Sequence, residues 1–159
     1  LFLTLKQISK QYNYEFVFPV HPRVSKLFQK NNFIDNEFPN IRFIEAQSYE
    51  EMIKLEKYAK IILTDSGGVQ KEAYWSNVPC ITLRNETEWT ELVDIGVNKL
   101  TGLNSRKIKE TFDYFVNNQI EFKSGLYGDG KTAKKILDVL RLMFECYTTG
   151  ATKVSSCSC

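Results

Sequence analysis

Apolar and polar residues alternate along this chain between a helical and a strand-like spacing. Leu1, Leu5, Ile8 and Tyr12 recur at the interval of one helix face, and a short β-rich run follows over residues 15–20. The alternation continues through further helices and strands at residues 22–30, 41–45, 48–58, 61–64, 69–75 and 78–83. Because parallel neighbouring strands can be joined only by a crossover, the pattern predicts an α/β fold, with a doubly wound parallel sheet of the Rossmann-like type.

Local signals indicate where some elements begin and where the domain ends. Ser48 followed by Glu51 predicts a capping box for the helix that runs to about residue 58. Two more helices are predicted near residues 105–117 and 131–144. The final stretch, TTGATKVSSCSC, is small, polar and without periodicity. We therefore predict one domain over residues 1–146 and a disordered tail over residues 147–159.

Composition narrows the class of protein. The 159 residues are 43% hydrophobic, which is enough for one core, and the net charge of +2 comes from interspersed charges, so no nucleic-acid or membrane surface is indicated. The apolar runs are far shorter than the roughly 20 residues that cross a bilayer, and the first residues lack the pattern of a signal peptide. The four cysteines show neither metal-ligand spacing nor the density of a disulfide scaffold. We expect a cytoplasmic protein without a metal site or a redox cofactor.

One stretch carries candidate chemistry. Residues 64–73 read TDSGGVQKEA and follow the apolar run IIL. Glycines permit close backbone approach, and the first turn of a helix presents unpaired amides at the positive end of its dipole, so such a turn favours a phosphate. The alternative is that Asp65 or Ser66 simply caps the helix. Neither a P-loop nor a GxGxxG fingerprint is present to explain the turn.

Longer segments resemble one known family. The run TDSGGVQKEAYWSNVPCITLRNETEWTEL, the later GVNKLTG and YGDGKTAKKIL, and the upstream FVFPVHPR are similar to the carboxy-terminal half of the non-hydrolysing UDP-N-acetylglucosamine 2-epimerase family. The resemblance covers roughly residues 1–140. It implies the carboxy-terminal half of a GT-B fold, in which two Rossmann-like domains enclose the substrate and this one binds the UDP.

The resemblance also implies roles for single residues. Contacts to UDP would come from Ser66, Gly67, Gly68, Glu72, Gln47 and Met52. The first three would hold the diphosphate, Glu72 would accept hydrogen bonds from the ribose, and the last two would contact the uracil. For Glu72 the alternative is an ordinary surface glutamate, and a core methionine is an equally good interpretation of Met52. His21, the one histidine of the chain, would lie beside the reacting sugar and the diphosphate.

Two positions depart from the common family pattern. Lys71 replaces a glutamate, and Trp89 replaces an arginine that contacts the diphosphate. These features resemble the subgroup that acts on UDP-2,3-diacetamido sugar uronates in surface-polysaccharide pathways. Arg84 is a candidate for the missing positive charge, although a surface ion pair between Arg84 and Glu86 is the favoured interpretation.

The activity that the resemblance implies is inversion at C2 of a UDP-2-acetamido sugar, through elimination and re-addition of UDP. In the family the carboxylates for this chemistry come from an amino-terminal domain, which this sequence lacks. The chain also begins within the first helix of its Rossmann unit, so we expect a central strand without a neighbour. We therefore predict a fragment, truncated at its start, that binds UDP weakly and catalyses nothing alone. The alternatives are the donor-binding domain of a GT-B glycosyltransferase and a non-catalytic nucleotide-binding module, and the sequence leaves open whether the whole enzyme is a homodimer.

Overall fold

The structure, a computed structural model, describes residues 1–30 and 37–149 of the chain. The chain divides into two compact units, Leu1–Phe122 and Lys123–Cys159. The first unit contains α1 (Phe2–Tyr12), β1 (Phe16–Val20), α2 (Pro22–Lys30), β2 (Ile41–Glu45), α3 (Tyr49–Tyr58), β3 (Ile62–Thr64), α4 (Gly67–Trp75), β4 (Cys80–Thr82), α5 (Thr90–Asp94), β5 (Asn98–Leu100) and α6 (Ser105–Asn117). The second unit contains α7 (Thr132–Thr149).

The strands alternate with helices and pair in parallel, as the hydrophobic pattern predicts. β1 pairs with β2, with Phe16 opposite Ile41. β4 lies between β3 and β5, with Cys80 opposite both Ile62 and Asn98. Instead of one continuous sheet, the described residues therefore form a two-stranded and a three-stranded sheet. The α/β alternation is confirmed, and the sheet is interrupted.

A groove separates the two sheets. It has a volume of about 530 Å³ and is lined by residues of both β1 and β3. The amide of Ile62 donates to Pro79, and the carbonyl of Thr64 accepts from Leu83, so these two residues direct their main chain toward β4. Successive residues of a strand face opposite neighbours, so Leu63 directs its main-chain groups toward the groove. Within the described part of the chain, β1 and β3 do not pair with each other, and each has one open edge.

The core of the first unit lies where α1 and α6 cover the sheet strands. Its largest cluster of buried side chains consists of Ile8, Ile81, Ile108, Phe112 and Phe115. A second cluster lies between β3, α4 and β4 and includes Ile62, Ala73 and Cys80. These clusters fix α4, and with it the glycine turn, against the three-stranded sheet.

Helix ends follow the signals in the sequence. Ser48 and Glu51 form the predicted capping box at the start of α3. α7 continues to Thr149, three residues into the range predicted as a tail, and residues 150–159 lie outside the described part of the chain. Across the described residues, no helix combines the length and the apolar character that crossing a membrane requires.

Candidate functional site

The turn at residues 65–68 joins β3 to α4 at the carboxyl end of a parallel strand. Ser66 is the N-cap residue of α4, and its hydroxyl makes no capping hydrogen bond. Its own amide donates to the hydroxyl of Thr64 over 3.0 Å. Gly67 and Gly68 open the helix, where amides have no acceptor one turn earlier. An exposed hydroxyl and two helix-opening amides thus lie together, which is an arrangement suited to an anion.

The two glycines have different surroundings. A methyl group at Gly67 would collide with the carboxylate of Glu88 and would lie 3.4 Å from the indole nitrogen of Trp89. At Gly68 the same methyl would meet the hydroxyl of Ser66 at 3.7 Å, an ordinary contact. The turn is therefore covered by a loop on the Gly67 side, and it is open on the side of Gly68 and Ser66.

A buried polar network fixes this end of α4. Gln70 is 1% exposed, and its side-chain oxygen accepts from Thr87 over 2.6 Å and from Asn98 over 2.9 Å. Asn98 in turn accepts from the hydroxyl of Thr82 over 2.7 Å. The side-chain nitrogen of Gln70 donates to the main-chain carbonyl of Ser66 over 3.4 Å. The network ties the glycine turn to β4 and β5, and sequence reasoning missed it because residues up to 28 positions apart form its hydrogen bonds.

Trp89 and Arg84 take up structural positions beside the turn. The indole N–H of Trp89 donates to the carbonyl of Gly67 over 2.9 Å. The ammonium of Lys71 lies 4.3 Å from the centre of the Trp89 ring, so the two departures from the family pattern contact each other. Arg84 forms an ion pair with Glu88 over 3.1 Å, and the expected pairing with Glu86 is wrong. The pair places the Arg84 charge against the carboxylate that covers Gly67.

His21 follows β1 directly and lies at the start of α2. It is exposed, and its carbonyl accepts from the amides of Val24 and Ser25. Its ring nitrogen Nδ1 accepts from the amide of Arg23 over 3.2 Å. A neutral imidazole that accepts at Nδ1 carries its proton at Nε2, so His21 can donate outward from Nε2.

The two residues expected at the uracil lie on either side of the start of α3. Gln47 is half-buried, and its amide donates to the carbonyl of Glu45 over 2.8 Å. Met52 is also half-buried and forms part of the wall of the groove between β1 and β3. The groove reaches Thr64 and Val69, whereas His21, Gln47, Ser66, Gly67, Gly68 and Glu72 do not line it.

A pair of acidic side chains lies between α3 and α4. Glu72 is half-buried, one turn beyond the glycines. Glu56 is 4% exposed, and no donor group among the described residues makes a hydrogen bond to either of its carboxylate oxygens. Burial, together with smaller effects of the charge of Glu72 and of a hydrogen bond with Glu72, raises the pKa of Glu56 to about 7. Sequence reasoning selected Glu72 and missed Glu56, whose burial no pattern in the chain signals.

Comparison with known proteins decides the family. Residues 1–141 match the family model described as UDP-N-acetylglucosamine 2-epimerase. The chain belongs to the UDP-N-acetylglucosamine 2-epimerase family. It is 47% identical over 131 residues to a UDP-N-acetylglucosamine 2-epimerase homolog of Methanococcus maripaludis, a match that covers 81% of this chain and 36% of the relative. It is 36% identical over 124 residues to the UDP-2,3-diacetamido-2,3-dideoxy-D-glucuronate 2-epimerase of Pseudomonas aeruginosa, covering 78% of this chain and 34% of that enzyme.

A solved member of the family has the same fold. The epimerase of Methanocaldococcus jannaschii, in a complex with UDP-GlcNAc and UDP, matches with a TM-score of 0.78 and 37% identity over 88% of this chain and 39% of that one. The fold is therefore the carboxy-terminal, Rossmann-like half of a GT-B architecture, as the resemblance implied. The chain spans less than two fifths of the length of these relatives.

Proposed function

We propose that this chain binds the UDP part of a UDP-2-acetamido sugar and is the nucleotide-binding half of a C2 epimerase. The observation that carries the proposal is the turn at Ser66, Gly67 and Gly68, which is open on one side and presents helix-opening amides there. These groups would hold the diphosphate through charge-assisted hydrogen bonds. The family match and the UDP bound to a solved relative support the same assignment.

The remaining candidate residues lie on the helices and loops that follow the strands, and each has a proposed role. Glu72, one turn along α4, would accept hydrogen bonds from the ribose hydroxyls. Gln47 and Met52, around the start of α3, would contact the uracil. His21 would donate from Nε2 to the diphosphate that departs and returns. Because Arg84 forms an ion pair with Glu88, its proposed role is limited to offsetting the negative charge beside Gly67.

The reaction that this half would serve is elimination followed by re-addition. A base takes the proton from C2, the electron pair of that C–H bond forms the C1–C2 double bond, and the C1–O bond breaks to release UDP. Protonation of C2 on the opposite face and re-addition of UDP at C1 give the epimer. In our proposal the groups that exchange the C2 proton belong to an amino-terminal domain. This half holds the leaving UDP in place for its return.

Replacing Gly68 by alanine tests the binding site. The methyl group fits the fold, since it meets only Ser66 at 3.7 Å, but it would occupy the space through which the phosphate approaches. Calorimetry with UDP should show affinity reduced at least about tenfold, as expected when hydrogen bonds to a charged group are lost. Ser76→Ala, at the other end of α4, is the matched control and should leave the affinity unchanged. Equal affinity in wild type and Gly68→Ala would refute the proposal.

The role of His21 is tested in an enzyme that includes the amino-terminal domain. His21→Ala should slow turnover at least about tenfold, which is the lower range for a proton donor. Arg23→Ala is the control, because it keeps the main-chain amide that Nδ1 accepts from. Normal turnover in His21→Ala would mean that the imidazole takes no part in the reaction.

The identity of the sugar stays a prediction. Relatives that act on UDP-N-acetylglucosamine and on a diacetamido uronate both match this chain. Incubation of the whole enzyme with either nucleotide sugar, followed by NMR of the product, would show which one is epimerised. The cytoplasmic location is likewise a prediction from cysteine usage.

A further inference from the structure

Glu56 is a buried acid to which the proposed function gives no role. It lies in the last turn of α3 and is 4% exposed, and within residues 1–30 and 37–149 no donor group makes a hydrogen bond to either carboxylate oxygen. An ionised carboxylate in such a place is expensive, so a protein that keeps an acid there holds it neutral or uses it. Glutamate is not needed to fill this space, because apolar side chains do so at lower cost.

Titratable groups reach Glu56 from two packed elements. Glu72 lies beside it on α4, and the thiol of Cys80 lies near it on β4. Burial raises the pKa of the Cys80 thiol to about 12, so the thiol carries no charge near neutral pH. On α3 itself the neighbouring Lys57 and Tyr58 are exposed. Glu72 is the more exposed of the two acids and therefore the better place for a negative charge.

We propose that Glu56 is a positioning residue for the nucleotide site: it keeps a proton that it shares with the carboxylate of Glu72, and so fixes Glu72 as the acceptor for the ribose. The inference rests on the proposed function. Two adjacent carboxyl groups that hold one proton attract each other, and the same two groups repel each other once both are ionised. The proton therefore sets the rotamer of Glu72, one turn from the diphosphate turn.

The consequence is a pH dependence of nucleotide affinity. Burial raises the pKa of Glu56 to about 7, so the pair keeps its proton below neutrality and loses it above. In the doubly ionised state Glu72 turns away from Glu56, and the ribose loses its acceptor. Ribose binding favours the protonated pair, so the bound nucleotide in turn draws a proton onto it.

The test is the affinity for UDP-N-acetylglucosamine as a function of pH, measured by calorimetry on the full chain. This ligand is suitable because its diphosphate is a diester and does not titrate near neutral pH. Wild type should bind about tenfold more weakly at about pH 8.5 than at about pH 6, the effect of roughly one unit of pKa shift on binding. Glu56→Gln keeps a neutral side chain that can donate to Glu72, so it should bind equally at both values, with the affinity of wild type at the lower pH.

Two further variants separate the possible failures. Glu86→Gln removes an exposed carboxylate elsewhere and should retain the pH profile of wild type. Glu72→Gln should bind weakly at both pH values. A flat profile in wild type, or a profile that persists in Glu56→Gln, would overturn the positioning role while leaving the UDP site intact. Failure of the nucleotide to bind at any pH, or full affinity in both Glu72→Gln and Gly68→Ala, would overturn the proposed function and this inference with it.

Discussion

Single residues near the glycine turn show how burial decides the chemistry of a side chain. Glu56 and Glu72 are both helix glutamates, and no pattern in the sequence signals that one is buried and the other accessible. Packing of α3 against α4 covers Glu56 almost completely and leaves Glu72 half-buried. The covered acid holds its proton up to about pH 7, whereas its neighbour stays available to a ligand.

The raised pKa of Glu56 predicts how stability changes with pH. Between its ordinary value of 4.5 and about 7, the folded chain retains a proton that the unfolded chain has released, so this group lowers stability progressively as pH rises through that range. Glu56→Gln removes this titration. The substitution should therefore stabilise the fold more at about pH 8 than at about pH 5, and the difference in the free energy of unfolding should be about 1 to 2 kcal/mol. Urea denaturation at the two pH values measures this. Glu86→Gln is the exposed control, and an equal effect of Glu56→Gln at both values would contradict the prediction.

Helix α4 depends on contacts that are distant in sequence. Its first turn is held by Gln70, whose side-chain oxygen accepts from Thr87 and Asn98, and by the indole of Trp89. The helix therefore keeps its place through the β4–α5 loop and β5, as well as through its apolar face. In our proposal UDP leaves the sugar and then adds back to it, so a rigid diphosphate site helps to keep UDP in position.

Gln70→Leu tests this anchoring. The substitution keeps a side chain of similar size but leaves the amide of Asn98 and the hydroxyl of Thr87 without their acceptor in a buried place. The expected loss of stability is about 2 kcal/mol, measured by urea denaturation, and UDP affinity should fall as well because the turn loosens. Gln119→Leu, on an exposed glutamine, is the control and should change neither quantity. Unchanged stability in Gln70→Leu would mean that apolar packing alone holds α4.

Periodicity predicts most of the elements here and misses α5 and β5. The amphipathic helices and the apolar strands β1 to β4 follow from their spacing, and the Ser48 capping box follows from local chemistry. α5 and β5 have five and three residues, and β5 begins with the buried Asn98, so neither has a hydrophobic pattern to find. At the site, the glycine turn could be recognised locally. The Gln70 network and the burial of Glu56 arise only when distant segments meet.

On the scale of the whole molecule, the nucleotide half and the catalytic half are separate in our proposal. The chain matches 36% of the length of the Methanococcus maripaludis relative, and the nucleotide-binding candidates of its first unit lie on the loops and helices that follow parallel strands. Open edges on β1 and β3 give the groove between the sheets an unpaired main chain on both sides, within the described residues. Open strand edges are places where further main chain can pair, and in our proposal the rest of a larger protein supplies it.

The 159-residue chain should therefore bind UDP and show no epimerase activity. With UDP-N-acetylglucosamine, NMR should detect neither the C2 epimer nor the glycal, because in our proposal the groups that exchange the C2 proton belong to an amino-terminal domain. Fusing the amino-terminal part of the Methanococcus maripaludis relative ahead of residue 1 should restore turnover, since that protein is 47% identical to this chain over the matched region. The same fusion carrying Gly68→Ala serves as the control, and it should stay inactive because UDP is no longer held. Epimerisation by the chain alone would show that the C2 chemistry resides in this half, and the proposed separation of nucleotide binding from catalysis would be wrong.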